Sequence, residues 1–353
     1  MVALFSKVEN LIGLDIGSHS VKMMQVRAGD AKPRLINLGL APTPKEAFAE
    51  GRIVKPDLVA STVRQLATHL KIKKKAAAIS ISGYEVMIKK IELPTMTEEE
   101  LETRMHAELG QYIPYNIDEV DIDYQVLDIS KERANFMEVL LVAAKKESVG
   151  DYNNILKLSG LDPYVVDVDF FALGNAFEAT YGFEDESVAL LDIGANKSVM
   201  NIAYKGTPIF TRGISIGGNQ ISEALKDHFR ITFDEAENLK LGEAADTYPA
   251  RDIEEIFVST VRGWLNECGR AVDFYYNNFP DKRIKALYLS GGSSRIPGLD
   301  KVFQEHLDIP VEIFNPIART QYDAKHFDPA YIDYVGPQMA ISLGLALRKT
   351  KEK

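Results

Sequence analysis

Two aspartates stand where an apolar run gives way to a small polar turn. Asp15 follows Leu11-Ile12-Gly13-Leu14 and precedes Ile16-Gly17-Ser18-His19-Ser20, and Asp192 follows Val188-Ala189-Leu190-Leu191 and precedes Ile193-Gly194-Ala195-Asn196-Lys197. The tetrad Leu-Asp-Ile-Gly thus occurs twice, half a chain length apart. Consecutive amides in a tight turn form a nest for an anion, and glycine lets the ligand approach the backbone closely. Two such turns facing one another can hold one phosphate chain, with Asp15 and Asp192 meeting it through a hydrated Mg²⁺, an ion that keeps several waters and accepts few carboxylates. Lys22 lies on the stretch leaving the first turn and reaches a phosphate as a point charge. Gly291-Gly292-Ser293, with Arg295 close behind, offers a third platform, under a nucleoside. Taken singly, each of the three is an ordinary glycine turn.

The elements that would position these groups follow from periodicity and turn chemistry. Both tetrads sit in strand-turn-strand contexts, with VKMMQV leaving the first and SVMNIAY the second, so the chain reads as a two-lobed duplicate. A helix with Leu58, Val63, Leu66, Ala67 and Leu70 on one face precedes the lysine run 71–75, read as a solvated helix end, and a buried strand over 76–82. A β-α-β-β-α-β order then runs over 87–169, its first helix opened by a Thr97–Glu100 capping box stapled by Met96 and Leu101. Thr232 and Glu235 form a second capping box, ahead of a short helix stopping at Gly242. The longest helix is expected over 253–276, with Trp264 and Cys268 on its apolar face as core residues. A last helix is expected over 335–348, where Gly336, Ala340 and Gly344 would let another helix come close.

Composition limits the function. The 353 residues suit two or three domains, and 46% apolar with 26% charged residues is ordinary for a globular protein. A net charge of −10 disfavours nucleic-acid binding by a basic surface. One cysteine and six histidines give neither a disulfide nor a metal-ligand spacing. No apolar run reaches the ~18 residues of a membrane span, and the start MVALFSKVEN lacks the features of a secretory leader. A cytoplasmic protein is expected.

The order of these segments resembles the actin-like ATPase superfamily of actin, the DnaK-type chaperones, the sugar kinases and FtsA. Ile12–Lys22 looks like the first phosphate loop, 167–181 the first connecting helix, Val188–Tyr204 the second phosphate loop, Leu287–Gly298 the adenosine segment and 334–348 the second connecting helix. Ala236-Glu237, with Lys240, is similar to the helix that approaches the ribose and base. The resemblance implies an α/β, ribonuclease-H-like two-lobed ATPase fold. Its first lobe would comprise 1–86 with 162–187 and 334–353, its second 188–333, and an FtsA-like small subdomain 87–161 would be inserted into the first. Gln111-Tyr112-Ile113-Pro114-Tyr115-Asn116-Ile117-Asp118-Glu119-Val120, Asp123-Tyr124-Gln125-Val126-Leu127 and Asp192–Lys197 resemble the PilM family of type IV pilus machines. The ending GLALRKTKEK, without an amphipathic helix, favours PilM over FtsA.

That resemblance implies ATP and Mg²⁺ as cofactors. Nucleotide is expected at Asp15, Gly17, Ser18, His19, Lys22, Asp192, Gly194, Ala195, Asn196, Lys197, Gly217, Gly218, Asn219, Glu237, Lys240, Gly291, Gly292, Ser293 and Arg295, with the metal near Asp15 and Asp192. It further implies capture of the N-terminal cytoplasmic peptide of PilN by segments within 97–127, links to the pilus motor ATPases and the platform protein, and a place at the inner membrane held through PilN alone. Slow or absent hydrolysis is expected, with Asp167 or Asp169 as the residue that would act on water. Two other readings compete. Gly213-Ile214-Ser215-Ile216-Gly217 matches the G-x-S-x-G hydrolase elbow, although no triad partner is identifiable. An FtsA-like division protein, or a small-molecule kinase on the same fold, would share the nucleotide site.

Overall fold

The computed structural model describes residues 10–27, 32–49, 51–81, 86–129 and 135–348. The leader reading at 1–9 and the chain end at 349–353 lie outside these residues. Strand β1 (Ile12–Ile16) turns into β2 (Ser20–Arg27) and then β3 (Arg34–Pro42), an antiparallel meander. A small hairpin, β4 (Phe48–Ala49) and β5 (Arg52–Ile53), leads to helix α1 (Pro56–His69), which opens on a proline, whose missing N–H costs nothing in a first turn that has no carbonyl to bond it. Strand β6 (Ala76–Ile81) returns parallel to β1.

The chain then leaves this sheet. Strand β7 (Val86–Pro94), helix α2 (Glu98–Tyr112), β8 (Val120–Ile129) and β9 (Phe136–Lys145) make a three-stranded sheet in the order β7-β9-β8, with Leu101 and Met105 of the helix buried against it. The Thr97–Glu100 capping box forms as expected, at 2.8 and 3.3 Å. Helix α3 (Lys146–Leu158) and strand β10 (Asp162–Val168) complete the β-α-β-β-α-β order but join a different body. Strand β10 pairs with β6, and Ile155 and Leu156 of α3 lie in the same apolar cluster as Ile12, Val63 and Ile79. Within the span 87–161 read as an insert, helix α3 therefore shares its apolar cluster with α1 and β6 of the first lobe, and the β6 edge takes β10 as its parallel partner.

Helix α4 (Asp169–Thr180) crosses to the second half, where β11 (Ser187–Ile193), β12 (Ser198–Tyr204) and β13 (Thr207–Ile214) repeat the meander. Helices α5 (Asn219–Phe229), α6 (Phe233–Lys240) and α7 (Ala250–Asn278) follow, then β14 (Ile284–Ser290), α8 (Leu299–Leu307) and β15 (Val311–Ile313). The two large sheets have the orders β10-β6-β1-β2-β3 and β15-β14-β11-β12-β13, so the duplication seen in the tetrads extends to every strand of these two sheets. Trp264 and Cys268 of α7 are buried, as expected, and burial pushes the Cys268 thiol up to about 12.

The helix expected over 335–348 is broken. Helix α9 (Pro329–Val335) gives way to a tight 3₁₀ turn at Gly336–Met339 before α10 (Ala340–Ala346). Pro337 has no N–H to continue the helical ladder, so the chain tightens there into the 3₁₀ turn. Gly344 does admit a close neighbour, α4, whose Ala172 carbonyl lies where a side chain would begin.

Candidate functional site

The two Asp-Ile-Gly turns are closed in the same way. Gly17 N–H donates to the Ser20 carbonyl and Gly194 N–H to that of Lys197, each at 3.1 Å, while the amides of Ser18, His19, Ala195 and Asn196 take no part in these closures. The turns meet across a cleft, where the Asn196 amide donates to Ser18 Oγ at 3.0 Å. Glycine is required at Gly194, since a Cβ there would come within 2.6 Å of the Lys197 carbonyl oxygen. Gly217 and Gly218 lie behind the second turn: Gly218 N–H donates to the Gly194 carbonyl (3.0 Å), and the amide of Asn219 to that of Ala195 (2.8 Å). The Gly213–Gly217 segment is thus the support of a turn.

Of the residues expected from sequence, Asp15, Gly17, Ser18, His19, Lys22, Asp192, Gly194, Ala195, Asn196, Lys197, Glu237, Lys240, Gly292, Ser293 and Arg295 line this one cleft. Gly217, Gly218, Asn219 and Gly291 are not on its wall and instead fix the loops that are. Gly291, at φ 85°, donates its N–H to the Pro337 carbonyl at 2.8 Å.

At one end the cleft carries an ion-paired cation. Lys22 Nζ donates to Asp15 Oδ2 at 2.8 Å, both side chains being nearly buried. Burial alone would lower the lysine's pKa, but the charge and hydrogen bond of Asp15, with Asp192 and Asp169 beyond it, hold it above the ordinary value. Asp192 accepts from Ser290 Oγ at 2.8 Å, and burial, with Asp15 nearby, raises it to about 6. Asp169 accepts from Ser80 Oγ at 2.5 Å, and burial, reinforced by Asp15 and Asp192, raises it to about 8. Three carboxyl groups therefore share one ammonium, and this end favours additional positive charge. Among the described residues no group of three or more ligating side chains is placed to hold a metal ion. A cation here would take one or two carboxylates plus waters and phosphate oxygens, the pattern of Mg²⁺.

At the other end, Lys240 is buried and donates to Glu237 Oε1 (2.5 Å), Ser222 Oγ (3.0 Å) and the Gly218 carbonyl (3.4 Å). Burial lowers its pKa against the opposing pull of Glu237. The guanidinium of Arg295 lies 4.3 Å from the ring centre of Tyr334, and its Nη1 is a buried donor with no hydrogen-bond partner among the described residues. A donor left unsatisfied at a cleft wall fits a ligand acceptor. The remaining cavity is about 170 Å³, below the roughly 300–1,000 Å³ usual for small-molecule sites.

Sequence left Asp167 and Asp169 as alternatives, and the fold separates them. Asp167 is buried beside Arg348 at 3.2 Å, away from the cleft, whereas Asp169 lines it. Residues that sequence reasoning missed include Phe48 and Gly51 of the small hairpin and Tyr152 of α3. Gly51 has φ 74°, and a Cβ there would lie 2.5 Å from Lys197 Cε, so the hairpin folds over the second turn. In the sequence, the glycine between Phe48-Ala49 and Ile53-Val54 is a turn signal that marks this hairpin.

Asp169 makes a testable contribution to stability. With a pKa of about 8 against an ordinary 3.8, the folded chain holds a proton that the unfolded chain has lost between about pH 4 and pH 8. Its stability therefore falls as pH rises through that window. Thermal melts of Asp169→Asn and the parent should converge toward pH 4 and separate toward pH 8, the variant being the more stable; parallel pH profiles would show that no such proton is held.

A family model described as type IV pilus assembly protein PilM matches residues 13–350. The cell division protein FtsA of Bacillus subtilis (strain 168) is 22% identical over 93% of this chain and 82% of its own length. Among solved structures, a chain of a PilM-PilN type IV pilus biogenesis complex is 28% identical, with a TM-score of 0.84 over 97% of this chain and 98% of that one. MreB5 of Spiroplasma citri bound to AMPPNP is 11% identical, with a TM-score of 0.54 over 96% of this chain and 95% of that one, a likeness of fold alone. The fold is the actin-like one.

Proposed function

The chain belongs to the PilM family of type IV pilus assembly proteins, and on that premise we propose that it is a cytoplasmic, ATP-binding adaptor that captures the N-terminal peptide of a PilN-like membrane protein. The observation that carries this reading is its likeness, at a TM-score of 0.84, to a chain of a PilM-PilN complex. In the proposed role the adaptor sits at the inner membrane through PilN and links it to the pilus motor ATPases and platform protein.

The cleft supports the nucleotide half of the proposal. Turn amides near Ser18 and Asn196 would hold the phosphates, Lys240 and Glu237 would approach the ribose and base, and Arg295 has a donor to spare. Asp15 and Asp192 would hold hydrated Mg²⁺, whose chemistry is to neutralise the phosphates beside a carboxylate-rich wall. A carboxyl that keeps its proton up to about pH 8, as Asp169 does, is a poor acceptor for a proton from water at neutral pH. This favours binding with slow hydrolysis, the nucleotide acting to hold the lobes together.

The peptide half is supported by apolar surface in the stretch 97–127. Tyr115, Ile117 and Val126 are 45%, 37% and 45% exposed, and exposed apolar side chains close together in a chain segment suit a docking surface. Tyr112 is partly buried in the insert's own core, so Tyr115 is the cleaner probe. Calorimetric titration with MgATP and with a peptide copying the cytoplasmic start of the PilN-like neighbour should show binding of both, each altering the affinity for the other. Tyr115→Ala should weaken the peptide about tenfold, as loss of an aromatic anchor does, and leave MgATP affinity unchanged. Nucleotide binding without peptide binding would return the chain to the FtsA-like or kinase readings.

A further inference from the structure

The chain carries a net charge of −10, yet Lys71, Lys73, Lys74 and Lys75 fall within five residues and all four are exposed. They lie on the link from α1 to β6, against the link from α3 to β10. The two links are tied together where Asp162 N–H donates to the Lys75 carbonyl at 2.9 Å, and the Arg64 guanidinium donates to the Leu158 carbonyl. Between them is a second cavity, of about 450 Å³, remote from the nucleotide cleft and sharing no lining residue with it. Arg64, Lys75 and Lys157 line it as cations, and Ala67, Ile72 and Leu161 line it as apolar groups. Leu158, 37% exposed, is also on its wall.

Helix dipoles account for part of this charge, since His69 and Lys157 lie in the last turns of α1 and α3. That effect fades within the last turn, and Lys73, Lys74 and Lys75 lie beyond it. From the joint occurrence of cationic and apolar groups in one lining and an exposed lysine run that ends at it, we propose that this end of the first lobe binds an anionic phospholipid surface. One headgroup phosphate sits among Arg64, Lys75 and Lys157, and the lysine run faces the surrounding bilayer charge. A soluble polyanion would satisfy the cations and leave the apolar lining without a use, which is why a lipid fits better. Lysines on long stems also suit a diffuse charged surface, because they reach outward while their stems cover apolar area. The inference stands apart from nucleotide and peptide binding.

The test is sedimentation of the full chain with vesicles of phosphatidylcholine, with and without phosphatidylglycerol. The chain should sediment with the anionic vesicles only, and less as salt is raised. Each basic residue near such a surface contributes on the order of fivefold in binding. The charge reversal K71E/K73E/K75E, confined to exposed positions, should therefore lose binding by at least about tenfold while keeping the parent's melting temperature. Equal sedimentation with neutral and anionic vesicles, or unchanged binding by the triple variant, would overturn the proposal. So would equally tight binding to soluble polyglutamate, which would assign the face to an acidic protein instead.

Discussion

Replacing Lys22 with methionine should destabilise the protein by about 3 kcal/mol at neutral pH and abolish binding of MgATP. The side chain is 13% exposed and its partner Asp15 14%, so neither charge has water to fall back on. Methionine keeps the length and apolar stem of lysine, and the packing loss is therefore small. What it removes is the ammonium that, among the described residues, faces Asp15, Asp192 and Asp169 together. Breaking one half of a buried pair leaves an uncompensated charge, which is far more damaging than removing both halves. The double variant Lys22→Met/Asp15→Asn should consequently regain most of the lost stability and still fail to bind MgATP. Urea unfolding of the two single variants and the double one would give the coupling between them. A Lys22→Met protein as stable as the parent, or one that binds MgATP normally, would contradict the role given to this pair.

The same pair shows how much the sequence carries. Lys22 faces Asp15 across the first hairpin, and Val199 faces Asp192 across the second, so the lobes are alike in backbone but carry the cation only once. That asymmetry is legible from the two tetrads and the two strands leaving them. Turns closed by one backbone bond to a residue three positions on depend on local residue types, and local types are what a sequence displays. The destinations of α3 and β10 are another matter. Their periodicity gives a helix with an apolar face and a strand, but says nothing of whether the insert or the first lobe supplies the opposing face. The choice between Asp167 and Asp169 failed for a similar reason. Two positions apart on a continued strand they would share a side, but the strand ends at Val168 and Asp169 opens α4, so one meets Arg348 and the other meets Ser80.

Gly344→Ala should be among the most damaging single methyl additions at the described glycines. A Cβ on Gly344 would stand 1.7 Å from the carbonyl oxygen of Ala172 and 2.5 Å from its carbon, both backbone atoms of α4. No rotamer relieves such a clash, so α10 must move away from α4. On the side of β1 there is no slack either, because Gly13 already brings its strand so near that a Cβ there would lie 1.9 Å from the Ser342 carbonyl oxygen. Overpacking against fixed backbone on two sides should destabilise the protein by about 3 kcal/mol or more. The displacement also reaches the cleft, since Gln338 and Ile341 line it and the Pro337 carbonyl accepts from Gly291. Weakened nucleotide binding should therefore accompany the lower melting temperature in whatever protein remains folded. Gly150→Ala supplies the comparison: it lies within α3, is exposed, and has nothing within 4 Å of its added carbon. There the same change should stabilise by about 0.5–1 kcal/mol, by helix propensity alone. Opposite signs for one chemical substitution would tie the effect to the close approach of α4, β1 and α10, whereas equal small effects would mean that these elements are free to separate.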